Sequence, residues 1–173
     1  MITIHVKDIN HISQKFYDDI IAMIDIRKLA CSCGNCKCLI HHGNYNRTVK
    51  TPNGAVRLRI NRVKCTICGC THALLLSSII PYSQIALKDQ MDIINCYESQ
   101  LGYDRIFESN LSIDENNVQS VILRYCRYWK SRILSYSVSV FSVELLIKYC
   151  FSIFQKQFMQ IKSTSNRLFM FPT

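Results

Sequence analysis

Acidic side chains are scarce in this chain: 12 aspartates and glutamates stand against 21 lysines and arginines. The few carboxylates are scattered. The two adjacent pairs, Asp18 with Asp19 and Asp114 with Glu115, read as helix-start charges rather than as a metal-ion site for phosphoryl transfer. A Gly-rich phosphate loop and an H-E-x-x-H segment are both missing, and no local run suggests a nucleophile with its base. The expectation is a protein that is not an enzyme, with no catalytic residues. The opening residues, MITIHVKDINHISQ, lack a basic segment followed by an apolar run, so no secretory leader is expected and the reading is cytoplasmic. Internal repeats and low-complexity linkers are absent too. The longest apolar stretch, Ile133 to Phe154, carries Glu144 and Lys148 near its middle. Each central charge costs about 2.5 to 3.5 kcal/mol on insertion, so the stretch reads as a helix outside the membrane.

Cysteine, by contrast, is abundant. Seven of the ten lie in two clusters, Cys31 to Cys38 and Cys65 to Cys70. In a reducing compartment, clustered cysteines point to metal ligation rather than to disulfides. Cys33-x2-Cys36 and Cys65-x2-Cys68 have the separation of two zinc knuckles, with Gly34 inside the first and Gly69 directly after the second. Four thiolates around one Zn2+ leave no open position for water, so the expected ion is structural, one per chain. Cys31 and Cys38 compete for the first pair, and Cys70 or His72 for the second. His41 and His42 follow the first cluster and read as surface groups. Cys96, Cys126 and Cys150 stand singly in helical patterns and read as small buried hydrophobes.

The apolar fraction of 49% is enough for a buried core. Thr3 to Val6 reads as a short strand, and Phe16, Ile20, Met23 and Ile24 recur at helical spacing from about Ser13 to Leu29. Past the Gly- and Cys-rich CSCGNCKC the period changes from 3.6 to 2. Over Ala55 to Val63, Val56, Leu58 and Ile60 alternate with Arg57, Arg59 and Asn61, and the turn TPNG precedes them. HALLLSSII supplies a last strand that ends before Pro81. Helical spacing then returns. Met91, Ile94 and Tyr97 mark one helix from near Lys88, and Tyr103, Ile106 and Phe107 mark a short second one. A third is opened by S-x-x-E at Ser112 to Glu115, a capping-box pattern, and runs to about Leu134. Ile147, Phe151, Phe154, Phe158 and Ile161 predict an amphipathic helix over about 138–162, followed by a short apolar tail.

The expected architecture is therefore α+β: a small zinc-ribbon β unit joined to a helix-turn-helix three-helix unit, with flanking N- and C-terminal helices. The divisions fall at 1–29, 30–82, 83–134 and 135–173. The surplus of positive charge suits a polyanion. Arg47, Lys50, Arg57, Arg59, Arg62 and Lys64 concentrate it on the hairpin. On the third helix, Asn116, Asn117, Ser120, Arg124 and Arg127 fall away from the apolar stripe, with amides early and arginines later. That order suits base contacts at the start of a recognition helix and phosphate contacts further along. DNA is the expected partner for all eleven residues.

The run HGNYNRTVKTPNGAVRLRINRVKCTICGCTHALLL, with IIPYSQIALKDQ, YES, YDRI, SIDENNV and RYWKSR after it, resembles a bacterial family, domain-of-unknown-function family 6431. The late CFSIFQKQFMQIKSTSN fits it too. The layout is similar to the zinc-ribbon and helix-turn-helix front ends of insertion-sequence transposases. In that pattern the matching positions are Cys33, Cys36, His42, Gly43, Tyr45, Cys65, Cys68, Gly69, Thr71 and His72, while Leu76 departs from it where such ribbons often carry proline. The resemblance implies a mobile-element accessory protein that binds DNA sequence-specifically and works beside a transposase or recombinase. No catalytic domain with three separated carboxylates precedes Thr173. Two alternatives are a transcriptional regulator and an adaptor that docks a recombinase. A homodimer through the C-terminal helix and no membrane association complete the expectation.

Overall fold

The computed structural model describes residues 1–137, 146–147, 149–154, 156–161 and 168–169. It is a mixed α+β chain. Its strands are β1 (Ile2–Ile4), β2 (Leu39–Thr51), β3 (Gly54–Cys65), β4 (Thr71–Leu76) and the two-residue β5 (Leu168–Phe169), in the sheet order β2-β3-β4-β1-β5. Its helices are α1 (Gln14–Ala22), α2 (Leu87–Glu98), α3 (Asp104–Ser109), α4 (Glu115–Tyr128) and α5 (Lys130–Ser135).

The β2–β3 hairpin dominates the sheet. Thr51 pairs with Gly54 across the Pro52-Asn53 turn, and Gly54 takes φ +100°, a backbone region that favours glycine. Antiparallel partners share a face, so the register sorts the side chains. Tyr45 opposite Ile60, Arg47 opposite Leu58 and Val49 opposite Val56 form one face, where Leu58, Ile60 and Val49 are buried. Asn46 opposite Arg59 and Thr48 opposite Arg57 form the other, where both arginines are exposed. A bulge between His41 and Asn44 shifts the register, with Gly43 at φ +84° inside it.

Over residues 55–61, β3 has no strand on its second side among the described residues, and α1 covers that edge. Gln14 Oε1 accepts from the Arg59 backbone N–H at 2.6 Å, and the Tyr17 hydroxyl accepts from the Asn61 N–H at 2.9 Å while donating to the Leu74 carbonyl at 3.0 Å. Two side chains thus satisfy ladder groups that would otherwise invite another strand. Ser13, where the helical spacing begins, caps α1 by accepting from the Phe16 N–H. The helix stops at Ala22, however, and only a 3-10 turn, Ile26–Lys28, occupies the rest of the expected span.

Two hydrophobic cores result. The first gathers β1, the hairpin, β4 and α1, with Tyr17, Ile60, Leu74 and Leu75 fully buried. The N-terminal segment is therefore part of the sheet's core rather than a separate flank. The second gathers α2 to α5 with later residues, around Trp129. The rings of Phe154 and Phe158 meet the Trp129 ring edge-on at 5.7 and 5.3 Å, and its indole N–H donates to the Gln160 carbonyl at 3.1 Å. Gln157 joins the two cores: its amide donates to the Ser77 and Ile79 carbonyls and its oxygen accepts from Thr3.

Three expectations about the helices change. The cap of α4 is Asp114, which accepts from the Asn117 N–H at 2.8 Å, while the Asn117 side chain accepts from the Asp114 N–H at 3.4 Å. The box therefore sits two residues later than S-x-x-E suggests, and the Ser112 hydroxyl donates to the Thr51 carbonyl at 3.2 Å. The long third helix breaks at Trp129, which has φ −125° and ψ −34°, and α5 follows. The C-terminal helix does not run to residue 162. Cys150–Phe154 is a π-helical turn, and residues 157–160 are buried outside any helix, where Gln157 and Phe158 serve the two cores. Much of the expected C-terminal helix and the tail lie outside the described residues. No helix among the described residues is long and apolar enough to cross a membrane.

Candidate metal centre and basic surface

The base of the hairpin brings together four thiols, those of Cys31, Cys33, Cys65 and Cys68, with all four Sγ atoms within 4.8 Å of one another. Cys31 and Cys33 flank one residue of a tight turn. The Gly34 N–H donates to the Cys31 carbonyl at 3.0 Å, and Gly34 adopts φ +89° to let the chain reverse. Cys65 ends β3 and opens the second turn, where the Gly69 N–H returns to the Cys65 carbonyl at 3.0 Å and the Cys65 N–H donates to the Cys70 carbonyl at 2.9 Å.

The expected set of Cys33, Cys36, Cys65 and Cys68 therefore changes by one member: Cys31 stands where Cys36 was expected. The cause is the turn. Cys36 lies on its returning arm, bridged to Ala30, and its side chain is exposed. The Cys31 N–H is bound to the Asn35 carbonyl at 2.9 Å, and its thiol is buried facing Cys68 at 3.5 Å. The other cross-pair, Cys33 to Cys65, is 3.9 Å. Tetrahedral thiolates with metal–sulfur bonds of about 2.3 Å lie about 3.8 Å apart. The two measured separations straddle that value, so the residues fit a single ion.

The local electrostatics favour the thiolate at two of the four positions, Cys33 and Cys65, whereas the Cys68 thiol is raised. The Cys68 backbone N–H, 3.5 Å from Cys65 Sγ, holds the Cys65 thiol down to about 6. The Asn35 side-chain amide donates to Cys33 Sγ at 3.3 Å and lowers that thiol too. Burial instead pushes Cys38 up to about 11, and its thiol donates to the Asn35 carbonyl at 3.2 Å. Cys38 thus supports the turn as a thiol. His72, the other competitor, is buried with Nε2 3.2 Å from Cys31 Sγ, and burial lowers its pKa. It lies outside the four-sulfur group and contacts one member of it, the arrangement of a group that orients a ligand. His41, His42 and Cys70 are exposed. Among the single cysteines, Cys150 is buried as expected, whereas Cys126 is exposed with its thiol 3.5 Å from the Tyr97 hydroxyl.

The eleven basic and polar residues expected to face DNA divide into two sets. Arg57 and Arg59 are exposed on the hairpin's outer face, and Asn116, Ser120 and Arg127 are exposed on α4. Lys64 is half-buried. The others are committed inside the fold. Arg47 lies on the inner face, and its Nη2 donates to the carbonyls of Ile80 and, at 2.6 Å, Ser83. Lys50 donates to Asn117 Oδ1 at 2.6 Å and lies 3.8 Å from the Asp114 carboxylate, so both it and Asn117 belong to the cap of α4. Arg62 is half-buried with a buried Nε, and Arg124 is half-buried close enough to Arg47 that, after burial, that like charge further lowers its pKa. Alternation along β2 carried the signal that Arg47 shares a face with Val49.

No curated protein and no solved structure matches this chain. Residues 31–111, a span that holds all four clustered cysteines, the hairpin, α2 and α3, match the model of a family described as a domain of unknown function (DUF6431). This match agrees with the family resemblance read from the sequence.

Proposed function

We propose that this chain is a zinc-stabilised, sequence-specific DNA-binding protein in which a zinc ribbon and a helix-turn-helix unit present one basic surface. In this reading Cys31, Cys33, Cys65 and Cys68 hold Zn2+, which four thiolates favour over harder ions. The ion closes the base of the hairpin and supplies its folding energy. α3 and α4 are the helix-turn-helix pair, with Asn116 and Ser120 toward base edges and Arg127 toward phosphate.

The observation that carries the proposal is the pairing of Arg57 and Arg59 on the exposed hairpin face, neither with an acidic partner among the described residues. A further support is that the Lys50 contact to Asn117 and Asp114 fastens the hairpin to the start of α4. The two basic elements then meet a duplex together. A role beside a transposase or recombinase extends the proposal through the similarity of layout.

Phosphate contacts release counterions, so affinity should fall with salt with a logarithmic slope of about 0.9 per phosphate neutralised. Fluorescence anisotropy on a random-sequence duplex across a salt series is the test. Arg57→Gln with Arg59→Gln should weaken binding and reduce the slope by about 2, roughly one for each contact. Absence of duplex binding at low salt, or binding indifferent to salt, would overturn the proposal.

A further inference from the structure

The inward-lying arginines converge on a cleft that shares one residue, Ser120, with the proposed duplex-facing surface. A cavity of about 750 Å3 lies between the inner face of β2–β3 and the turn at residues 82–84, lined among others by Tyr45, Asn46, Arg47, Arg62, Thr71 and Tyr82. A second cavity, of about 300 Å3, shares Tyr82, Ser83 and Gln84 and continues to Asn117, Ser120 and Arg124 on α4. No carboxylate lines either one. Three guanidinium groups therefore border two adjoining cavities with no anion among the described residues to neutralise them.

The arginines are also set in place. Arg47 is fixed by Nη2 on two carbonyls, while its Nε and Nη1 donate to nothing among the described residues. Arg62 Nε is buried with no hydrogen-bond partner. A buried guanidinium donor left unpaired is costly, and a phosphate is the planar fork's natural acceptor. Tyr45 and Tyr82 add ring faces beside these charges, and Gln84 adds an amide that can both donate and accept. Cations that seat a phosphate beside rings that stack a base make up the chemistry of single-strand recognition. The volume lies in the range of small-ligand pockets, and a duplex does not enter a space of that size.

We infer that this cleft binds one unpaired nucleotide, its phosphate held by Arg47 and Arg62 and its base set against Tyr45 or Tyr82. The inference deepens the DNA-binding proposal by adding an unpaired nucleotide to the duplex contacts of Arg57 and Arg59.

The test is calorimetric titration of the full chain with four probes: a short single-stranded oligothymidylate, thymidine 5′-monophosphate, inorganic phosphate and thymidine. Oligonucleotide and monophosphate should bind, inorganic phosphate should compete with both, and thymidine should bind at least about tenfold more weakly than its monophosphate. Arg62→Gln should weaken the monophosphate by about tenfold, with metal content and melting temperature unchanged. Tyr82→Ala, at an exposed position, serves even if Arg62→Gln fails to fold: it should weaken the monophosphate about fivefold or more and leave inorganic phosphate unaffected. Arg57→Gln with Arg59→Gln should spare monophosphate binding. Duplex binding without monophosphate binding would overturn the cleft and leave the duplex reading standing, and the reverse would do the opposite. Monophosphate binding indifferent to both Arg62→Gln and Tyr82→Ala, or thymidine binding as well as its phosphate, would also overturn the cleft.

Discussion

The two cores of this protein are held by different physics. The helical core closes on apolar area: Trp129, fully buried, takes two aromatic rings edge-on, and isoleucines and valines from α2, α4 and α5 complete the packing. The sheet core also has buried aliphatics, but its hairpin runs outward from two cysteine turns whose surroundings are largely exposed. Residues 66 to 71 are all exposed, so apolar burial cannot fix that turn against the one at Cys31. Four thiols within 4.8 Å can do so through a metal ion. One half of the chain is thus held by apolar burial, and in the proposed reading the other also depends on a coordination site.

Chelation at neutral pH breaks the comparison most forcefully. Structural zinc sites contribute on the order of 10 kcal/mol. Hydrogen exchange after chelation should therefore show protection lost across β2, β3 and the cysteine turns while α2 and α4 keep theirs. Acidification should reproduce the loss, because the ligands must be thiolates. Uniform loss across both cores would make them one cooperative unit.

Trp129→Ala attacks the other side. Removing this ring should cost about 3 to 5 kcal/mol, read as a lower melting temperature or denaturant midpoint, with metal content preserved. If the metal is lost along with the helices, the cores are not independently held.

The smallest effect sharpens the join between them. Asp114→Ala removes the cap of α4 and should cost about 1 kcal/mol. Because Lys50 reaches both Asp114 and Asn117, combining Asp114→Ala with Lys50→Met should cost less than the sum of the single changes. Additive losses would mean that the hairpin and α4 are not coupled there.

How much of this was legible in the sequence depended on the range of the interaction. Alternation along residues 55–63 is a local property, and β3 forms over it, as α4 forms over its apolar stripe. The x2 spacing identified Cys65 and Cys68 for the same reason, since both lie in one turn. The same spacing favoured Cys36 over Cys31 and missed the partner of Cys33, because that choice depends on which arm of the turn faces the second cysteine turn, a contact across 37 residues for Cys31 and Cys68. Arg47 and Lys50 look like surface charges in a basic hairpin. Their carbonyl and amide partners lie 33 to 67 residues away, and no local pattern encodes them. The early end of the C-terminal helix has the same origin, since Gln157 leaves helical geometry to bond Thr3, Ser77 and Ile79.

The central claim is that a metal ion on Cys31, Cys33, Cys65 and Cys68 holds the hairpin. Its most direct test is elemental analysis of protein purified without added metal, run on the native chain, Cys31→Ser and Cys36→Ser. The account predicts one zinc per chain in the native protein, retained in Cys36→Ser and lost in Cys31→Ser together with the folded hairpin. Zinc kept by Cys31→Ser and lost from Cys36→Ser, or absent from all three proteins, would contradict it.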